Sequence, residues 1–356
     1  MYKSQSNKSC LANHHTALVL MFVLFMFSCS NLFIDEQRSN TAQNNIDLLW
    51  TIIDERYCFF EEKGVDWNAI REKYVRGWEN YTNPSSTRLF NTMVQMLEEL
   101  RDGHVCLDNG NFSRCYSGWH SGFPENFDGG RIRSYVNQDR NYDRLSNGTI
   151  FSILSDGVGY IRCPTFSGKF NRIDLDNAIA RFNERNVAGV IIDVRNNGGG
   201  YVAEAYLLAS KFARERTRVG YVRYKTGRGH SDFSDFFPRY VEPGGANQFH
   251  GKVVILTNRR VYSAANLFVS VMRSLPQVRV IGDQTGGGGG IPITLELYNG
   301  WAVKLSTNPV FDIKQNSIEQ GIAPDQSIAL TGNNNNRDNS NRDNIIEAAI
   351  EWILAK

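Results

Sequence analysis

Apolar positions fall into a helical rhythm from Ile46, where Ile46, Leu49, Trp50 and Ile53 share one face, and again after Ser85-Ser86, where Leu89, Met93, Met96, Leu97 and Leu100 repeat it. The spacing predicts a small helical N-terminal subdomain over 45–101. Residues 108–150 carry Gly, Asn, Ser and aromatics with little periodicity, and read as long loops or a short β-insert within a core spanning 102–331. After that stretch the pattern alternates. Strands are predicted over Val158–Arg162, Ala188–Val194, Gly220–Tyr224, Lys252–Thr257 and Val278–Ile281, and helices over Ile173–Asn186, Ala203–Arg214 and Ser263–Leu275. Ile293–Leu297 and Ala302–Ser306 flank Asn299-Gly300 as a hairpin would. Such alternation predicts an α/β fold, a mostly parallel sheet with helices packed on it. Residues 332–356 read as a polar linker, densest over Asn333–Asn341, followed by an amphipathic helix over Ile345–Leu354.

The beginning of the chain follows a different rule. Lys3 and Lys8 precede an uncharged apolar run from Ala17 to Phe27, which meets Ser28-Cys29-Ser30. Spanning a bilayer takes about 20 apolar residues, so the run reads as a secretory signal. A small residue before Cys29 resembles a bacterial lipobox, with 1–29 as signal peptide, Cys29 as the lipidated residue and 30–44 as a polar tether; Met26 and Phe27 depart from the usual lipobox residues. A plain cleaved signal and an uncleaved anchor are the alternatives. All three export the rest of the chain, and the expected address is periplasmic or cell-surface, as a lipoprotein of a bacterial outer membrane. Cys58, Cys106, Cys115 and Cys163 would then meet an oxidising compartment, where pairing is permitted but not assignable from spacing.

Composition adds mainly exclusions. The 356 residues hold 39 Lys+Arg against 37 Asp+Glu, a net charge of +2, with 41% hydrophobic residues. This is a globular composition, sufficient for about two domains or one with an appended piece. Basic residues scattered among as many acids give no field for nucleic acid. Six cysteines are too few for a disulfide-built scaffold. Oligomeric state is not legible.

In an open α/β sheet, ligands meet loops at the carboxyl ends of strands, and three loops could carry chemistry. Asp193-Val194-Arg195-Asn196-Asn197-Gly198-Gly199-Gly200 can turn backbone N–H groups toward a phosphate or oxyanion, or be only a tight turn; no Gly-Lys-Ser/Thr follows, so it is not a P-loop. Tyr262-Ser263-Ala264 lies where a strand turns into a helix, so Ser263 is either an exposed nucleophile or an ordinary helix cap. Arg101-Asp102-Gly103-His104-Val105 holds a histidine able to serve as general base, or a hydrogen-bonded structural residue.

Together these loops say more. Gly-His-Val at 103–105, Gly-Tyr-Ile-Arg at 159–162, Ile-Ile-Asp-Val-Arg-Asn-Asn-Gly-Gly-Gly at 191–200, Tyr-Ser-Ala-Ala-Asn at 262–266 and Glu-Gln-Gly-Ile-Ala-Pro-Asp at 319–325 occur in an order that resembles the tail-specific (C-terminal processing) serine peptidases and the tricorn core, from about Ile46 onward. The resemblance implies a crotonase-like β/α superhelical core, Ser263 as nucleophile, and an oxyanion hole from the N–H groups of Gly199 and Ala264. The chain also departs from the pattern. The processing peptidases place an acid three residues after the nucleophile and a lysine in a later Thr-x-Gly-Lys segment. Here Asn266 stands at the first position and Thr285-Gly286-Gly287-Gly288-Gly289-Gly290 contains no lysine. The tricorn-like branch uses a histidine base, which His104 matches, oriented by an acid that Glu319 matches. That branch has a serine beside the histidine where this chain has Gly103. Residues 106–157 are too few for a PDZ module, so substrate tails would be gripped by the core or the helical subdomain.

Other features read blandly. Cys106 could share a strand face with His104, but no oxyanion turn accompanies it. Asp102 more naturally stabilises its turn than orients His104. Asn80, Asn111 and Asn147 open glycosylation sequons that mean little if the exporter is bacterial. No cluster has metal-ligand spacing, and no metal or cofactor is expected. The expectation is a serine endopeptidase acting on peptides or unfolded protein tails through an acyl-enzyme. The alternative is a catalytically inactive peptide- or lipid-binding protein on the same scaffold. Acyl-CoA chemistry, which crotonase-like cores also host, is disfavoured by export.

Overall fold

A computed structural model of the chain describes residues 39–76, 78, 81, 84–139, 142–332 and 342–355. The signal run, Cys29, the first part of the tether and most of the polar linker lie outside the described residues.

Among the described residues four helices come first: α1 (Ala42–Arg56), α2 (Phe60–Lys63), α3 (Trp67–Tyr74) and α4 (Ser86–Glu98). Thr41, Asp66 and Ser85 start α1, α3 and α4 by accepting a first-turn backbone N–H on a side-chain oxygen. Trp50 and Trp67 each donate the indole N–H to the other's carbonyl at 3.1 Å, which satisfies both polar tips inside an apolar core. The region from 106 to 153 holds β1 (Cys106–Asp108), β2 (Ser113–Cys115), helix α5 (Gly129–Val136), β3 (Asp143–Arg144) and β4 (Ile150–Ile153). The helix is new relative to the sequence reading. Gly129-Gly130 at its start conceals it, while Asp128 accepts hydrogen bonds from Gly130 and Arg131 and caps it.

The alternating region then runs β5 (Gly159–Arg162), α6 (Arg172–Glu184), β6 (Gly189–Asp193), α7 (Val202–Ala209), β7 (Thr217–Val222), β8 (Phe237–Val241), β9 (Lys252–Thr257), α8 (Ala264–Arg273), β10 (Val278–Gly282), β11 (Gly290–Glu296), β12 (Ala302–Phe311), β13 (Gln326–Ser327) and α9 (Asn344–Leu354). Seven strands form one sheet in the order β13-β10-β9-β6-β5-β4-β3. Its strands from β13 to β5 are parallel, and β4 and β3 are antiparallel additions at the edge. Both faces are covered. Val190 and Ile192 of β6 point into a core with α6, α7 and α8, while Ile191 points into a second core with α9. Burial on two faces explains why β6 reads as an unbroken apolar run.

The sequence reading did not anticipate the second sheet, β2-β1-β12-β7-β8 with β11 also on β12, whose pairs are antiparallel. Val303 and Leu305 of β12 share one core with Ile46, Leu49 and Ile53 of α1 and Met93 and Met96 of α4. The N-terminal helices therefore bury their apolar faces against this sheet. No described helix is long and apolar enough to cross a membrane.

Candidate active site

Ser263 follows the turn out of β9 and immediately precedes α8. Its backbone has φ 58° and ψ −125°, in a region where side-chain-bearing residues are strained. Ser263 N–H donates to Gly287 O at 2.9 Å and Tyr262 N–H to Asn197 O at 3.1 Å, pinning the turn between two glycine-rich loops. The hydroxyl makes no capping bond to its helix. Instead Ser263 Oγ lies 2.8 Å from His104 Nε2. A serine that forgoes its cap in favour of an imidazole is poised for proton transfer.

His104 reaches this point because Asp102, buried, accepts the His104 N–H on Oδ1 at 2.7 Å and sets the turn after α4. Two residues later Cys106 is joined to Cys115 by a disulfide across β1 and β2, which removes Cys106 as a nucleophile and anchors the histidine loop. Burial lowers the imidazole to about 4; Asp102 opposes this, and Lys304 and Lys63 add to it. The ring is thus neutral at pH 7, as a general base must be. Its Nδ1 has no hydrogen-bond partner among the described residues.

The glycine loop packs onto the serine. A Cβ at Gly199 would stand 2.8 Å from Ser263 Cβ and 3.0 Å from Ala264 N, so only glycine fits. The Gly199 N–H, expected at the oxyanion, donates instead to Asn197 Oδ1 at 2.9 Å. Asn197 is itself tied to Cys163 O at 3.1 Å. Gly198 and Gly200 border the cavity that contains Ser263 and Ala264. Ala264 N–H, in the first turn of α8, has no intrahelical acceptor.

Glu319 is buried nearby, but its carboxylate turns to other partners. Oε1 pairs with Lys63 Nζ at 2.7 Å and Oε2 accepts Gly289 N–H at 2.7 Å. Burial, then the Asp102 carboxylate, raises its pKa, against the pull of Lys63 and Gly289. The glycine run at 286–290 has a steric reason: a Cβ at Gly287 would lie 1.9 Å from Glu319 O.

Two of the departures in the sequence also find causes. Asn266 Nδ2 donates to Ile318 O at 2.8 Å, and its Oδ1 accepts from Thr285 Oγ1 at 2.6 Å. Thr285 Oγ1 in turn accepts Ile322 N–H at 2.6 Å. Asn266 thus fastens the glutamate segment to α8. At Gly103 a Cβ would stand 2.6 Å from Trp119 Nε1 and 2.8 Å from Tyr262 Oη, so these aromatic side chains crowd the space a serine would need. Trp119 stacks on Tyr262 with centroids 4.1 Å apart. Lys63, Trp119 and Tyr262 escaped the sequence reading of the site. Tyr262 alone carried a signal, its place beside Ser263.

A cavity of about 390 Å³ opens at Ser263 and is walled by Val202, Leu267, Ile291, Val310 and Ile318. An imidazole-paired serine at the carboxyl ends of a parallel sheet, beside glycine-loop and helix amides and an apolar cleft, has the layout of an α/β serine peptidase. Residues 157–328 match Peptidase family S41, and residues 40–82 match the Tricorn protease C1 domain. The chain belongs to peptidase family S41, a serine peptidase family of mixed α/β fold. It is 39% identical to a candidate peptidase from Parabacteroides merdae, at a TM-score of 0.80, covering 89% of this chain and 98% of that one. It is 26% identical over 165 residues to the carboxy-terminal processing protease CtpA of Bacillus subtilis, or 46% of this chain and 33% of CtpA. Against the tricorn protease of Thermoplasma acidophilum it is 29% identical over 163 residues, or 44% of this chain and 12% of that protein. The matched portions thus span a third or less of these two curated relatives.

Proposed function

We propose that the protein is a serine endopeptidase that cleaves peptides or unfolded protein tails through an acyl-enzyme. The observation carrying this reading is the 2.8 Å approach of Ser263 Oγ to His104 Nε2 from a strained, uncapped turn. Ser263 Oγ attacks the scissile carbonyl carbon while Nε2 takes its proton. The oxyanion accepts hydrogen bonds from Ala264 N–H and the glycine loop, where Gly199 contributes by giving up its Asn197 acceptor. Collapse expels the amine, which takes the proton back from Nε2. Water then attacks the ester with His104 again as base, the acyl C–O bond breaks as Nε2 returns that proton to Ser263 Oγ, and the acid product leaves.

Glu319 is assigned the orienting role, receiving the far N–H of the imidazolium. In its support, Nδ1 has no competing partner among the described residues, and Glu319 is a buried acid that lines the same cavity as Gly103. The apolar cavity favours a medium-sized aliphatic side chain next to the cleaved bond. Residues 1–29, outside the described residues, are read as a lipoprotein signal ending at Cys29, placing the peptidase outside the cytoplasm; the tether read over 30–44 ends earlier than expected, because Thr41 caps α1 and the helix begins at Ala42. The Cys106–Cys115 disulfide agrees with such a compartment.

Casein and a peptide library test the assignment. Ser263→Ala and His104→Ala should each lower kcat/KM on the order of a thousandfold or more, and Glu319→Gln by less. Unchanged cleavage by either of the first two overturns it. The engaged Gly199 amide favours one other reading, an inactive peptide- or lipid-binding protein, and a fluorophosphonate probe separates the two. Labelling that depends on Ser263 supports the peptidase, and absence of labelling in folded protein supports the binder.

A further inference from the structure

We propose that Lys63, brought in by the N-terminal helices, is a positioning residue for the reaction: its ammonium draws the Glu319 carboxylate toward its charged form and fastens it to the segment that carries His104. The inference rests on the role assigned to Glu319 above. Lys63 is the last residue of α2, and Gly64 behind it adopts a left-handed conformation that ends the helix and lets the side chain turn inward. Its Nζ contacts both segments of the site. It pairs with Glu319 Oε1 at 2.7 Å and donates to Arg101 O at 2.9 Å, one residue before the Asp102 turn that carries His104. Arg101 donates back from its guanidinium to Lys63 O at 2.6 Å, so the two chain segments clasp each other.

The pair is well removed from solvent, with side-chain exposures of 9% for Lys63 and 2% for Glu319. Two buried carboxylates close enough to feel each other cannot both ionise without a cation between them or nearby. Asp102 is the second carboxylate, and its charge acts on Glu319. Tyr57, Cys58 and Tyr262 also feel the Glu319 charge, Lys63 acts on Glu62 of α2, and Lys304 of β12 together with Lys63 acts on His104. Among these groups Lys63 is the cation in contact with Glu319. With Lys63 in place, burial and Asp102 still raise Glu319 to about 8; removing the ammonium should raise it further and shrink the charged fraction able to accept from the imidazolium.

A pair that serves only to dock the helices would show another pattern, because its loss would lower stability without moving a pH profile. The test uses the full chain with a peptide reporter, measuring kcat and KM separately from pH 5 to 10 for wild type, Lys63→Met and Lys63→Arg. Lys63→Met should lower kcat at pH 7 about tenfold or more with little change in KM, and move the acidic limb upward by about one to three pH units. Lys63→Arg should restore most of both. An unmoved limb, or a pH-independent loss that tracks a lowered Tm, overturns the proposal. If Lys63→Met does not fold, Lys63→Gln reads the same limb. Independently of turnover, the ¹³C carboxyl titration of Glu319 should move upward in the lysine variant, and an unmoved titration overturns the proposal even if the protein proves inactive. Hydrolysis lost in Ser263→Ala but indifferent to Lys63 rejects this inference alone, whereas hydrolysis that survives Ser263→Ala rejects the peptidase reading itself.

Discussion

The backbone of Ser263 holds a conformation that costs on the order of 1–3 kcal/mol, and hydrogen bonds from Ser263 and Tyr262 to Gly287 and Asn197 hold the turn. His104 stores a cost of another kind. Its folded-state value near 4 lies below the ordinary 6.5, so between those values the unfolded chain takes up a proton that the buried ring refuses. Stability from this site is complete above the unfolded value and is lost as pH falls toward the folded one. His104→Gln lacks that liability. Urea midpoints should show wild type losing about 2–3 kcal/mol relative to His104→Gln between pH 7 and pH 4. A constant difference between the two would show that the imidazole is not buried neutral.

At the scale of elements, the joint between α8 and the 318–322 segment is the most exacting contact described. Asn266 gives a hydrogen bond to Ile318 O and takes one from Thr285, roles that a carboxylate can fill only in part. Asn266→Asp, which restores the acid of the processing peptidases, is expected to destabilise by about 1–3 kcal/mol because it removes one of the two donors to Ile318 O, leaving only Gly321 N–H, and sets a carboxylate oxygen against that carbonyl in a buried site. The same change should reduce cleavage by displacing Glu319. Thermal unfolding and kcat/KM measured together check this; a variant as stable and active as wild type rejects the fastening role. Long elements were legible from their periods: β9 occupies Lys252–Thr257 as read, and α8 and α9 differ from the reading by one or two residues at their ends. The short strands β1, β2 and β8 were not, since three to five residues of mixed polarity carry no period.

For the whole molecule, the N-terminal helices share a core with β12 and bring Lys63 to Glu319, so under the proposed mechanism the helical segment serves the chemistry as well as the packing. Glutamate and lysine lie 256 positions apart in the chain, and only the docking of helices on the second sheet joins them. The proposed export adds a prediction at this scale. Cys29→Ser expressed in a lipoprotein-processing bacterium should abolish labelling by radiolabelled fatty acid and release the peptidase from the membrane fraction. Retention of label in that variant rejects the lipobox reading.

Periodicity and motif order determined the parallel core, the helices around it and the membership of Ser263 and His104 in one site. These features are local: a strand buried on two faces must be apolar throughout, and a strained turn into a helix needs small residues beside it. Tertiary structure decided the rest. It committed the Gly199 amide to Asn197, turned Glu319 toward Lys63, filled the space beside Gly103 with Trp119 and Tyr262, and built the second sheet. Those outcomes depend on which side chains meet across long separations and how their volumes and charges fit, and no spacing along the chain encodes that.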